Sequence, residues 1–335
     1  MATLTSLPNE LLILIFSNVA DDIRAGNITT TVGSVSKSFR RLIQSCGIDV
    51  LYTSLRGVQN MRNFLNLIRD RDFVVRKVYS LLLVVDCNES SDEDASRDIP
   101  LIETILSTIN ASRLHTLFIH VPPRSGTPIL QFPVPLPSLN ELRLSGLVAN
   151  SPAGHAPYTP NVKRFQLLRL PELREVLEHR RLPRLVHDVA PNLTQLKFTI
   201  RKSQSTHLLD VLLFMTAMMS RIRDSENCTA NTHPHLFPAS LKQIVLTATS
   251  SSSTDRLVSA LPLFRGVRKV SEQEAEVCRA HGGIPPLVVE LLDEGDHDRV
   301  SGRYEEAWSE AEYVEGFAGS WMRLNVEEGS RLETA

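Results

Sequence analysis

The chain has 335 residues, 42% of them hydrophobic and 22% charged, values that exclude a disordered chain and leave room for one large or two ordinary domains. Cys46, Cys87, Cys228 and Cys278 stand far apart and form no C-x-x-C pair, which points to a reduced compartment. The net charge of −2 is unevenly spread: residues 271–335 carry sixteen acids against five bases, or −11, and the rest 22 against 31, or +9, which argues against a nucleic-acid role for the acidic tail.

Pro8 opens a helix where its missing N–H costs nothing, and Glu10 lies near the positive end of the dipole. From Leu11 to Phe16 six apolar residues follow in a row, so this helix is apolar all round and needs cover on every side. Some forty residues are too few to supply that cover alone. Val35, Phe39, Leu42 and Ile43 then recur at i, i+4, i+7 and i+8, which predicts a one-sided amphipathic helix. It covers part of the first helix, and something else must cover the rest.

The string Leu7-Pro8-x-Glu10-Leu11-Leu12-x-x-Ile15-Phe16, followed by Val35-Ser36-Lys37-Ser38-Phe39-Arg40, resembles an F-box. That small helical module inserts into an SKP-family adaptor and so joins a cullin–RING ubiquitin ligase. The chain departs from the family in carrying Phe39 where most members have Trp, and in a longer segment from Ala20 to Gly33. The resemblance implies adaptor-facing or supporting roles for Leu7, Pro8, Leu11, Leu12, Ile15, Phe16, Val35 and Phe39. Periodicity leaves open which of them face outward. The competing reading is a buried N-terminal hairpin with no partner.

Next, Val58, Met61, Phe64, Leu65 and Ile68 predict a helix over Tyr52–Asp70, and Val78–Val85 reads as a strand. A connecting helix and then a strand is how many fungal F-box proteins resemble one another. The acidic stretch Asn88–Asp94 is expected to be a solvated loop. From Val78 on, an apolar–x–x–apolar–x–apolar unit recurs: Val78/Leu81/Leu83, Leu114/Leu117/Ile119, Leu139/Leu142/Leu144, Val162/Phe165/Leu167, Leu193/Leu196/Phe198 and Leu241/Ile244/Leu246. The last two positions of each lie two apart and share one face of a strand. Pro137-Ser138, Pro160-Asn161, Pro191-Asn192 and Ala239-Ser240 supply turn chemistry ahead of four of them.

Amphipathic stretches at Ile99–Ile109, Pro171–Leu182 and Thr206–Arg223 predict helices between the strands. Strand and helix in alternation, with a shared strand signature, resemble the divergent leucine-rich repeats common in F-box proteins. The spacings of 36, 25, 23, 31 and 48 residues are irregular for that class. A plain α/β domain is the alternative. The six prolines from Pro122 to Pro137 predict an extended loop, Asn227–Pro238 a second one, and Ser250–Ser253 an exposed turn.

In the tail, Ser271-Glu272-Gln273-Glu274 forms a capping box before a short helix, Gly282–Pro286 stops it, and Leu287–Val289 reads as a strand. Tyr304, Ala307, Trp308, Ala311, Val314, Ala318 and Trp321 mark one stripe of an acidic helix expected to cap the repeats; a partner-binding helix is the sharper alternative.

No catalytic, phosphate-binding or calcium-binding motif is present, and Cys228, His233 and His235 match no zinc spacing. No secretory signal precedes the apolar block, so the five N-x-S/T matches are read as coincidence. Leu208–Met219 is interrupted by Asp210 and too short to span a membrane.

The expected architecture is α/β: a helical F-box-like module (1–50), a connecting helix (51–73), an irregular leucine-rich solenoid of parallel strands (74–270) and an acidic cap (271–335). The expected protein is a cytoplasmic or nuclear substrate receptor that performs no covalent chemistry, holds no cofactor or metal and binds neither nucleic acid nor membrane. Its partners are an SKP-family adaptor, through it a cullin–RING ligase, and an unidentified protein substrate. A leucine-rich scaffold unconnected to ubiquitination, and an enzyme whose site assembles from distant residues, are the competitors.

Overall fold

The computed structural model describes residues 7–22, 28–85, 95–122, 128–150, 158–168, 181–201, 238, 240–249 and 288–293. The described residues divide into two compact units, one running up to His120 together with Leu136–Ser138, the other made of the remainder. It is a mixed α/β protein whose strands pair in parallel in both units.

The first unit begins with three helices, α1 (Asn9–Asp22), α2 (Ile28–Val35) and α3 (Lys37–Cys46). The amphipathic helix expected to run from Val35 to Ile43 is therefore two. Ser36 takes an extended backbone, φ −154°, and its side chain accepts the N–H groups of Ser38 at 3.1 Å and Phe39 at 3.3 Å. A serine hydroxyl there satisfies donors that a helix start leaves without an intrahelical partner, so Ser36 caps a new helix.

After a 3-10 turn at Ile48–Val50 comes β1 (Tyr52–Arg56), then α4 (Val58–Arg69), β2 (Ser80–Val84), α5 (Ala95–Thr108) and β3 (Thr116–His120). The helix expected over Tyr52–Asp70 is thus corrected: its first five residues are a strand, and Gly57 at φ 81° turns the chain before the helix starts. The connecting segment is itself a strand–helix unit, with β1, β2 and β3 side by side in register. Ile102, Ile105, Leu106 and Ile109 are buried, as the spacing of the Ile99–Ile109 stretch requires.

The second unit holds β4 (Ile129–Gln131), β5 (Glu141–Ser145), β6 (Val148–Asn150), β7 (Arg164–Leu168), α6 (Arg181–Val189), β8 (Gln195–Arg201), β9 (Gln243–Thr249) and β10 (Val288–Asp293). Its strands lie in the order β5-β7-β8-β9-β10, and β4 pairs with β6. Part of the proline-rich loop is therefore a short strand, anchored by buried Leu130, Phe132 and Leu136. The strand expected at Leu287–Val289 overlaps the start of β10, which runs from Val288 to Asp293; Leu287 lies outside the described residues. Of the helix expected at Pro171–Leu182, only Arg181 and Leu182 are described, and they open α6.

All six apolar repeat units carry a strand. Their first positions, Val78, Leu114, Leu139, Val162, Leu193 and Leu241, are buried. The second and third positions pair across strands: Leu81 with Leu117, Leu83 with Ile119, Leu142 with Phe165, and Phe165 with Leu196. One backbone device recurs with them. The N–H groups of Tyr79 and Ser80 both donate to Leu51 O, those of His115 and Thr116 to Tyr79 O, those of Lys163 and Arg164 to Asn140 O, and those of Thr194 and Gln195 to Lys163 O, all at 2.7–3.2 Å. The turn residues read from sequence add side-chain ties: Asn192 Nδ2 donates to Pro160 O at 3.0 Å and Ser240 Oγ to Leu193 O at 2.8 Å.

The acidic Asn88–Asp94 stretch, the Thr206–Arg223 helix, Ser250–Ser253, the capping box and the aromatic stripe from Tyr304 to Trp321 lie outside the described residues, as do Cys228, His233 and His235.

Candidate partner-binding surface

The apolar run of α1 divides its residues between two stripes. Leu12, Phe16 and Ala20, four residues apart, are at most 6% exposed. Leu11, Leu14 and Ile15, at i, i+3 and i+4, are 47%, 59% and 37% exposed. Residues at that spacing stand one turn above another, so the exposed three form one continuous apolar stripe.

The buried stripe faces a core of Ile28, Phe39, Ile43, Ile48 and Leu51, and the rings of Phe16 and Phe39 meet edge-to-face with centroids 5.0 Å apart. The three helices and the chain just after them therefore cover α1 on one side only. That answers the covering question the run of apolar residues raises.

The eight residues singled out by sequence fall into two groups. Leu12, Phe16 and Phe39 belong to the core, and Leu7 is half-buried against it. Pro8, Leu11, Ile15 and Val35 are exposed, Val35 at 73%. Pro8 also starts the helix, its carbonyl accepting the N–H groups of Leu11 and Leu12 at 3.1 Å each. Val35, expected to share a face with Phe39, is instead the last residue of α2. Leu14 is the residue the sequence reading leaves out; its position three after Leu11 and one before Ile15 is the signal that finds it.

The helical core is tied to the first strand–helix unit. Asp49 and Arg71 form a two-armed ion pair at 2.8 and 2.6 Å, with only 7% and 12% of their side chains exposed. The Arg76 guanidinium donates to the carbonyls of Arg69, Arg71 and Thr108. Leu67, Phe73 and Val74 around this turn are exposed as well.

Among the described residues no group of three His, Cys, Asp or Glu side chains is placed to hold a metal ion, and no helix is long and apolar enough to cross a membrane. No protein-family model matches the chain, and no curated protein or solved structure matches it either.

Proposed function

We propose that this chain is a substrate receptor of an SKP–cullin–F-box ubiquitin ligase. The exposed stripe of α1, Leu11, Leu14 and Ile15, with Pro8 and Val35, docks on the adaptor, while Leu12, Phe16 and Phe39 hold the helices in shape behind it. The observation that carries this reading is the division of α1 itself: a helix with one apolar stripe in its own core and a second one facing water. Burying a leucine-sized side chain contributes roughly 1.5–3 kcal/mol, so a few such residues can anchor an interface. The parallel strand–helix units would hold the protein substrate, and the receptor acts by raising its effective concentration near the conjugating enzyme. A cytoplasmic or nuclear location goes with this role.

The test is co-expression with an SKP-family adaptor and a cullin. The wild-type chain is expected to co-elute with both, and Leu11→Asp combined with Leu14→Asp to weaken the complex by about 100-fold or more, two lost anchors at tenfold per 1.4 kcal/mol. The far-UV spectrum and melting of the double variant should stay those of the wild type. A wild-type chain that elutes alone overturns the reading in favour of a scaffold outside the ligase.

A further inference from the structure

In the first unit the strands present two faces. Leu81, Leu83, Leu117 and Ile119 point to one, and Leu82, Val84, Phe118 and His120 alternate with them to the other. On β1 the register puts Thr53 and Leu55 on the first face and Ser54 on the second. Thr53 is buried and Ser54 exposed, so α4, which packs on β1, lies on the repeat side. α5 packs on α4, and right-handed crossovers between successive parallel strands put both helices on that same side.

The opposite face is nevertheless covered over β2 and β3. Leu82, Val84, Phe118 and His120 are at most 3% exposed. None of the four belongs to the core that α1, α2 and α3 build, which reaches the strands at Tyr52 and Tyr79. Among the described helices of the first unit, none therefore accounts for this cover.

A stretch that joins two parallel strands is bound by the crossover rule to the helix side. Residues after β10 precede no further described strand and are free of that rule. There the sequence holds an apolar stripe that needs cover, with Trp308, Ala311, Val314, Ala318 and Trp321 at three- and four-residue spacings. Residues 304–321 also carry five acids and no base, within a tail of −11 against +9 on the rest, so opposite charges draw the two together.

We propose that residues 304–321 dock on the β2–β3 strand face and lay their apolar stripe over Leu82 and Phe118. A helix of that length spans about 27 Å, enough to cross three strands about 4.8 Å apart. The strand face of the first unit is then an intramolecular docking surface, closed to a protein partner while the segment is on it. This holds whether or not the chain joins a ligase.

Trp308 and Trp321 are the two tryptophans of the chain, so tryptophan emission of the full-length protein reports on this segment alone. The wild type should emit at short wavelength and resist quenching by acrylamide; emission and quenching equal to those in urea overturn the proposal. Leu82→Glu places an acid under an acidic segment. It should release the tryptophans, shifting their emission to that of the urea-unfolded chain while the far-UV spectrum stays that of the wild type. A folded Leu82→Glu protein with wild-type emission overturns the proposal as well.

A labelled peptide of residues 300–325, added to full-length protein, tests the same face from outside. It should bind the Trp308→Ala, Trp321→Ala chain saturably and the wild type at least tenfold more weakly, because the wild-type face is already occupied. Equal binding by both chains overturns the proposal. Should Leu82→Glu fail to fold, hydroxyl-radical oxidation of Phe118 should rise several-fold in the double tryptophan variant; unchanged oxidation overturns it. Emission that depends on protein concentration assigns the segment to a second copy and overturns the intramolecular assignment.

Discussion

Gly47 closes α3 in the left-handed region at φ +73°, its N–H reaching back to the carbonyls of Ile43 and Gln44. A methyl group built there would lie 2.1 Å from the Val75 carbonyl oxygen, a backbone atom with no freedom to withdraw. Gly47→Ala meets both penalties, the left-handed conformation and the clash, and should cost at least about 2 kcal/mol in a urea titration. The same residue scale shows where sequence reasoning stops. Six apolar residues in a row carry no phase, so Leu12 and Leu11 read alike although one is in the core and the other in water. The phase comes from partners distant in the chain, Phe39 and Ile43 on α3, which decide the face of α1 that is covered.

Among the described residues, strands were legible where their period was uninterrupted. The apolar–x–x–apolar–x–apolar units gave every strand from β2 to β9 except the short β4 and β6, because the pleat requires alternate residues to share a face. β1 was hidden by one substitution: in Val50-x-x-Thr53-x-Leu55 a threonine occupies the middle apolar position, and its hydroxyl donates to Val50 O at 2.8 Å rather than facing solvent. α2 was hidden because Thr29, Thr30, Thr31 and Gly33 are weak helix formers, and the helix is anchored through buried Ile28 and Gly33. No local signal announces the Arg76 clamp, since it joins the carbonyls of Arg69 and Arg71 to that of Thr108 at the end of α5, 32 residues beyond Arg76. Arg76→Met keeps most of the apolar stem and leaves these acceptors unmet. It should cost about 1.5–3 kcal/mol, the worth of hydrogen bonds to a charged group. Amide exchange should then rise first across the turn from Asp70 to Lys77; uniform loss throughout the first unit would show that the clamp is not local.

At the scale of a whole unit, parallel strands that pair with their neighbours spread stability across the sheet, each strand of the second unit resting on the ones beside it. Leu196 tests this. It is fully buried and paired in register with Phe165 on one side and Ile244 on the other. Leu196→Ala removes a buried side chain where backbone pairing on both sides limits collapse, so the loss should be about 2–5 kcal/mol. Local opening draws on the stability of the surrounding contacts, so protection in hydrogen exchange should fall in β7, β8 and β9. The amides of α1, α2 and α3, whose core is made of Leu12, Phe16, Phe39 and Ile43, should keep theirs, because none of those side chains belongs to the unit that Leu196 supports. Equal loss of protection in α3 and β8 would mean that the two units open as one, and would set aside the nearest-neighbour account on which the repeat reading depends.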